Sequence, residues 1–453
     1  METPETQAAP DSTFVPMPGP DEPRSIAPDD ARPDPPQRKL TAWDHLLMNG
    51  FWFGFNFMWG GLLTLALPGH MQLFDPVDYK RNLGLLEACG ALFAVVIPLF
   101  IGPLSDRCRS RFGRRRPYMA AGAVIAAGGL AVMLGALAAR SLPIYFLGFF
   151  LLQIGANTAL GSYSGVIPDL VPKSERGLGS GVMAMMTQSG TLLGLLVAFP
   201  LAFKPNLYFE IVIGVLLFFT AVSWAGMKET RLVNGPPSIQ WKSYLADLWS
   251  PMRSNDFLWV WITRAFIMMG FYAVEPFLLY YVQDILRDPT PAKTTALIGA
   301  VILAGSTITG IVFGRISDRI GRKKIVYWAC GSISAASLLL VFCKTLPEAA
   351  SIAMVFGLAY GAYLSVDWAL GTDVLPTKGE AGKDMGVWHV AMTLPQQIAP
   401  LATGLILEQF LLRGERVGNH TPTSPLGYTL VFLMAAVFFV GGGYFVKNVK
   451  KAQ

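Results

Sequence analysis

The sequence predicts an all-α membrane protein, with twelve transmembrane helices arranged as two pseudo-symmetric six-helix bundles. Three observations predict it. Of 453 residues, 53% are hydrophobic and only 15% are charged, with a mean hydropathy of +0.44, which makes the bilayer the natural solvent for a chain of this length. Next, the apolar residues fall into twelve runs of about the 20 residues that a helix needs to cross a hydrocarbon core. Finally, one polar turn occurs twice. The first copy reads Gly102-Pro-Leu-Ser-Asp106-Arg107, then Cys-Arg-Ser-Arg-Phe, then Gly113-Arg114-Arg115-Arg116-Pro117. The second reads Gly314-Arg-Ile-Ser-Asp318-Arg319-Ile-Gly321-Arg322-Lys323-Lys324, 212 positions later. One signature closing an apolar run at matching places in two halves marks a duplicated membrane bundle.

Taken in order, residues 1–40 hold ten of the 32 prolines and eight acidic groups. Such a stretch buries too little surface to offset chain entropy, so a disordered tail is expected. It has no basic start followed by an apolar core, and no cleaved signal peptide is expected. Six runs follow within 41–227, at 46–69, 83–104, 118–139, 142–167, 179–203 and 208–227. A polar linker occupies 228–256. In it Trp241, Tyr244, Leu245, Leu248 and Trp249 form a helical stripe, predicting a short helix in the membrane interface. Six more runs lie within 257–446, at 257–281, 295–316, 325–343, 350–370, 385–411 and 426–446, and 447–453 is a tail. A second echo supports the duplication: Asp169-Leu-Val-Pro172 ends span 4 and Asp373-Val-Leu-Pro376 ends span 10, each followed by a glycine-led helix, at Gly179 and Gly386.

Lys and Arg set the expected orientation. The loops on the side of the two turns, with the C-terminal tail, hold 22 of them, against 9 in the six opposite loops. The positive-inside rule then places both turns and both termini in the cytoplasm. The net charge of +6 is thereby explained as a topology signal, and nucleic acid is not an expected partner. Cys89, Cys108, Cys330 and Cys343 follow no metal or disulfide spacing. There is no Gly-x-x-x-x-Gly-Lys-Ser/Thr loop, so nothing predicts ATP chemistry, a cofactor, a metal or an enzyme.

The twin turns resemble the loop 2-3 and loop 8-9 signatures of the major facilitator superfamily, and the resemblance covers 41–450. Cys89-Gly90 with Ser105-Asp106-Arg107-Cys108 and Ser110 through Pro117 is similar to the proton-coupled sucrose carriers of plants and their animal and bacterial relatives. Pro276-Phe277-Leu278-Leu279 with Asp284 is similar to the same group. The resemblance implies alternating access and proton-coupled uptake of a disaccharide or related glycoside, at the plasma (inner) membrane. It assigns Gly102, Asp106, Arg107, Gly113, Arg114, Arg115, Gly314, Asp318, Arg319, Gly321 and Arg322 to a gate that holds the cytoplasmic side closed. There, Gly102 and Gly314 would allow close backbone approach, and Asp106 and Asp318 would lie near the starts of spans 11 and 5. The chain departs from the plant pattern at Ser164, where counting back from Asp169 puts the family's span 4 arginine, and Val366 to Leu370 looks more like bacterial members.

Ionisable groups at membrane depth are costly, so each demands a reason. Glu87, Glu275 and Asp367 are candidate proton-coupling acids. Glu275 precedes Pro276, whose ring opens local carbonyls; otherwise it is an acid near the outer mouth that reaches water. Glu87 has an outer-vestibule role as its alternative. Asp367 shares a helix with Tyr360, Tyr363 and Trp368, an acid-and-ring set suited to a sugar's hydroxyls and apolar face; otherwise it pairs with Arg264 or Lys383. Arg264 needs an anion, which either a structural partner or the substrate would supply. Asn56, Gln153, Asn157, Gln188 and Gln396 with Gln397 are candidate cavity groups or helix-to-helix glue, and His389 is either interfacial or titrating. Two rivals remain open. Methionines such as Met183, Met185, Met186, Met268 and Met269 suit proton-driven efflux of an amphiphilic compound, and a non-transporting sensor or assembly factor could use the same fold.

Overall fold

The computed structural model describes residues 39–229 and 239–450, apart from 165, 167–169, 173–174, 202–203, 377–380 and 416–419. Nearly all of the expected tail, much of the linker and Asp169 lie outside the described residues, as do the side chains of Asp318, Arg319, Trp368 and Lys383.

Helix starts follow local chemistry. α1 (Ala42–Phe74) begins at a capping box in which Asp44 N–H donates to Thr41 Oγ1 at 3.1 Å and Thr41 N–H donates to Asp44 at 3.0 Å. After α2 (Tyr79–Asp106), the helices α3 (Arg116–Ala138), α4 (Leu142–Tyr163) and α6 (Pro205–Gly226) each place proline in the first turn, where its missing N–H has no helical acceptor. Between the last two runs α5 (Arg176–Leu201). The linker helix (Trp241–Asp247) precedes α7 (Asn255–Asp284), α8 (Pro291–Ile320), α9 (Arg322–Leu340), α10 (Leu346–Asp373), α11 (Ala381–Gln409) and α12 (Pro425–Phe445). Eleven of the twelve are long and apolar enough to cross a membrane. The remaining one, α9, opens with three basic residues and carries three serines, which lower its hydropathy. Several helices outrun the apolar runs, α1 at both ends, because a backbone ladder continues past the hydrocarbon edge into the interface.

Two helices break their α geometry at places that face each other. α1 takes a π-helical turn at Leu62–Ala66, just ahead of Pro68, and α7 takes a 3-10 turn at Glu275–Phe277, around Pro276. Across this gap Thr64 donates to Glu275 at 2.7 Å, Gln72 to Gln283 at 2.6 Å and Tyr280 to the Pro68 carbonyl at 2.8 Å. The partners are 211, 211 and 212 positions apart, within one residue of the 212-residue offset of the repeated turn. Residues that touch their own repeat counterparts lie on the pseudo-two-fold axis, so α1 and α7 flank it.

Within each half, helices pack backbone to backbone. At the α3–α4 crossing a Cβ on Gly129 or Gly155 would sit 2.3 or 2.2 Å from the opposite helix's backbone nitrogen, an approach open only to glycine. The halves meet where α2 packs on α11 and α5 on α8.

The apolar core is lopsided. One large cluster runs from the first half into the Lys80 end of the second, taking in Phe277 to Val282, Ala296, Leu407 and Phe432. The buried members of the other, Phe257, Ile325, Tyr363, Trp388 and Val446 among them, come from the linker and second half alone. The halves are therefore fused at the end away from the basic turns and separately cored at the end that carries them.

Candidate functional site

Arg264 of α7 and Asp367 of α10 form a buried ion pair between Nη1 and Oδ2. Tyr363 lies one helical turn before Asp367, so both side chains share a face, and its hydroxyl donates to Oδ1 at 2.7 Å. From α11, the Trp388 ring lies 3.5 Å from the guanidinium carbon and Met392 Sδ lies 3.3 Å from Nη2, again an i, i+4 pair. Stacking on Trp388 partly replaces the water lost by the cation. Gly371 makes room for that ring, since a Cβ there would meet its Nε1 at 2.6 Å. Beside the pair, Tyr360 stacks on Phe271 at 4.5 Å and 11°, with Phe356 next to both. Arg264 Nε has no hydrogen-bond partner among the described residues.

The other two acids are unlike this pair. Glu275 accepts from Thr64 through Oε1, while its Oε2 and Glu87 Oε1 are buried with no hydrogen bond. Glu87 and Glu275 come from opposite halves. Among the described residues no cation pairs with either.

The neutral candidates separate. Gln153 and Asn157 are buried and joined, Asn157 Nδ2 donating to Gln153 Oε1 at 3.0 Å. Asn56 donates to the Trp52 carbonyl of its own helix at 2.8 Å, and Gln188 reaches Thr307 across the halves at 3.4 Å. Of the adjacent glutamines, Gln396 is half-buried and Gln397 buried. His389 is half-buried.

The gate turns hold two surprises. The tight glycines are Gly113, at φ +105°, and Gly321, at φ +96°. The close approach expected at Gly102 is absent, a Cβ there meeting only the Gly161 carbonyl at 4.0 Å. Asp106 pairs with Arg115 of its own turn, while the side chains of residues 381–383 at the start of α11 lie outside the described residues. Arg115 also donates to Ser105 at 3.0 Å and the Ser162 carbonyl at 3.4 Å, and Arg107 donates to the Pro103 carbonyl at 3.1 Å. Glu229 caps α3, accepting the Arg115 N–H at 3.0 Å and the Arg116 N–H at 3.3 Å, with its charge felt by Arg114. In the second turn Arg322 pairs with Asp373. What the side chains of Asp318 and Arg319 do lies outside the described residues.

A cluster that sequence reading missed closes the opposite end. Lys80 Nζ lies 2.6 Å from Asp284 and 2.5 Å from Thr423 Oγ1. Asp284 also accepts from Tyr428 at 2.8 Å and the Thr423 N–H at 3.0 Å, and pairs with His420 at 2.8 Å. Tyr79, Tyr280 and Tyr428 surround the ammonium, and Arg81 bonds Glu408 at 3.0 Å. Asp284 stands out in the sequence only as part of the resemblance to the sucrose carriers, and nothing there names Lys80 as its partner.

Fold and site together define an integral membrane protein of two joined six-helix halves, with ionisable side chains gathered between them. The family model described as Major Facilitator Superfamily matches residues 46–400 and 292–451, and the chain belongs to that superfamily of transporters. It is similar to the sucrose transport protein SUT2 of Oryza sativa subsp. indica, 23% identical over 78% of this chain and 84% of that one. It is also similar to the sucrose transport protein SUC4 of Arabidopsis thaliana, 27% identical over 35% of this chain, which spans about a third (34%) of that relative. Among solved structures, the nucleoside transporter NupG superposes with a TM-score of 0.69 at 12% identity, covering 90% of this chain and 100% of that one. A bacterial homolog of the human lysosomal transporter Spinster superposes at 0.68 and 16% identity, covering 90% and 97%.

Proposed function

We propose that this protein is a proton-coupled symporter for a disaccharide or related glycoside, working by alternating access, with both termini and both basic turns cytoplasmic in a plasma (inner) membrane. The observation that carries the reading is the buried Arg264–Asp367–Tyr363 group, ringed by Trp388, Tyr360 and Phe271. An ion pair between α7 and α10 offers both donors and acceptors to sugar hydroxyls, and the rings offer a stacking face. Resemblance to the sucrose carriers supports the substrate class. Glu87 and Glu275, buried without a cation, supply acids able to exchange a proton as the halves move. In this orientation the fused Lys80 end is the outer side, so the structure corresponds to a carrier closed to the outside.

The test is uptake of radiolabelled disaccharides into proteoliposomes, with and without an inward proton gradient. Wild type accumulates at least one sugar only with the gradient. Glu275→Gln or Glu87→Gln retains downhill exchange and loses accumulation, naming the coupling acid. Folded, inserted protein that moves no sugar in either condition would overturn the proposal and direct the search to efflux of amphiphiles.

A further inference from the structure

Two amides, one from each half, converge on a bare stretch of backbone in α2. A Cβ on Gly90 would lie 2.8 Å from Gln153 Nε2 of α4 and 3.1 Å from Gln397 Oε1 of α11, with the Phe149 ring at 2.9 Å. Gln153 is oriented by Asn157, which donates to its Oε1 at 3.0 Å and leaves the NH₂ turned to Gly90. Gln397 is 5% exposed, yet its Oε1 has no hydrogen-bond partner. A buried amide oxygen without a donor is costly and calls for a group that occupies it at some stage of the cycle. Three residues before Gly90, on the same side of α2, Glu87 carries another buried, unpartnered oxygen. The set is thus one donor, two vacant acceptors and a ring edge, with no cation to recruit an anion. A hydroxyl both donates and accepts, and neighbouring hydroxyls on one sugar ring would meet the amides and the carboxylate together.

We propose that Gln153, Gln397 and Glu87 around Gly90 form a hydroxyl-recognition subsite for a neutral polyol ring, in which the ligand bridges the two halves. The absence of a side chain at Gly90 is what lets both amides reach the same hydroxyl. This rests on the sugar-uptake reading and extends it to the ligand's contact with α2, α4 and α11, away from Arg264.

The experiment measures proteoliposome uptake of the transported disaccharide and of its single-position deoxy analogues. Wild type, Gln397→Met, Gln397→Glu and Gly90→Ala are compared. Wild type discriminates against at least one deoxy analogue, because removing a hydroxyl leaves the site's polar groups unpaired. Gln397→Met removes the acceptor at similar size, raises KM about tenfold or more for the parent sugar with kcat little changed, and erases that discrimination. Gln397→Glu keeps an acceptor oxygen and retains the discrimination against the deoxy analogue, although a second acid beside Glu87 lowers overall uptake. Gly90→Ala pushes both amide ends and the edge of the Phe149 ring off the α2 backbone and repeats the methionine effect, which covers the case in which Gln397→Met fails to insert. Unchanged KM and unchanged discrimination in Gln397→Met and Gly90→Ala would overturn the subsite while sugar uptake stands. Wild type that takes up no disaccharide would overturn the uptake reading, and with it the ligand assigned here.

Discussion

Asp367 shows how a residue can be legible in kind and not in partner. A carboxylate late in an apolar run had to be compensated, and Arg264 and Lys383 were both within the range of reasonable partners. The fold chose Arg264, 103 positions away, because α7 and α10 line the same interior. Asp367→Asn keeps an oxygen for Tyr363 and strands a buried guanidinium, so it is expected to cost about 3–5 kcal/mol of stability. Asp367→Leu combined with Arg264→Met, which removes both charges, recovers most of it. Thermal unfolding in detergent checks this, and a single variant as stable as wild type would show that the pair contributes little. Glu229 gives a residue-scale pH test outside the membrane. Burial pushes its carboxyl above the ordinary carboxylate range, against the Arg115 and Arg116 N–H groups and the charges of Arg115 and Arg114. A raised folded-state pKa contributes stability that is full below the ordinary carboxylate value and lost as pH rises through the raised one. The melting temperature of wild type relative to Glu229→Gln is therefore expected to fall as pH climbs from acid through that window. A difference that stays flat with pH would show that Glu229 does not titrate there.

At the scale of elements, proline decides where helices open and what fills the openings. Pro103 cannot donate to the carbonyl four residues earlier, that of Leu99. The linker helix supplies the missing donor, Tyr244 reaching the Leu99 carbonyl at 3.1 Å while Trp241 packs on Phe100 at 5.2 Å. The stripe falls on and just after the short helix Trp241–Asp247. Trp241 and Tyr244 dock on α2, Leu248 is buried, and Leu245 and Trp249 remain exposed. Tyr244→Phe removes one hydrogen bond and is expected to loosen the linker helix by about 1 kcal/mol. Faster limited proteolysis between residues 228 and 256 reads this out; an unchanged cleavage rate would mean that apolar docking alone holds the helix. The proline-disturbed turns of α1 and α7 are in turn joined by a side-chain bond, Thr64 donating to Glu275.

At the scale of the whole molecule, the halves are joined at one end by the Lys80–Asp284 cluster and by the apolar core that continues across it, the end that the proposed carrier cycle has to open. Lys80→Met removes the ammonium and leaves Asp284 to His420, Tyr428 and Thr423. The variant is expected to populate the state opened at this end. A cysteine at Gln283, a buried position, should then react severalfold faster with an impermeant maleimide than in a Lys80 background, with native cysteines replaced in both. Equal labelling rates would assign closure to apolar contact alone and the ion pair to local structure.

The sequence by itself determined the membrane class, the helical fold, the duplication and three of the costly buried acids, Glu87, Glu275 and Asp367. These depend on local quantities: apolar run length, a turn signature that recurs in the second half, and the cost of charge in hydrocarbon. Only the tertiary structure decided that Arg264 neutralises Asp367, that Gln153 and Gln397 converge over Gly90, that Gly102 has open space beside it, and that the halves fuse at the Lys80 end. Those outcomes join residues from separate helices, as with Lys80 and Asp284 at 204 positions apart. Hydropathy along one helix carries no information about which face of another will meet it.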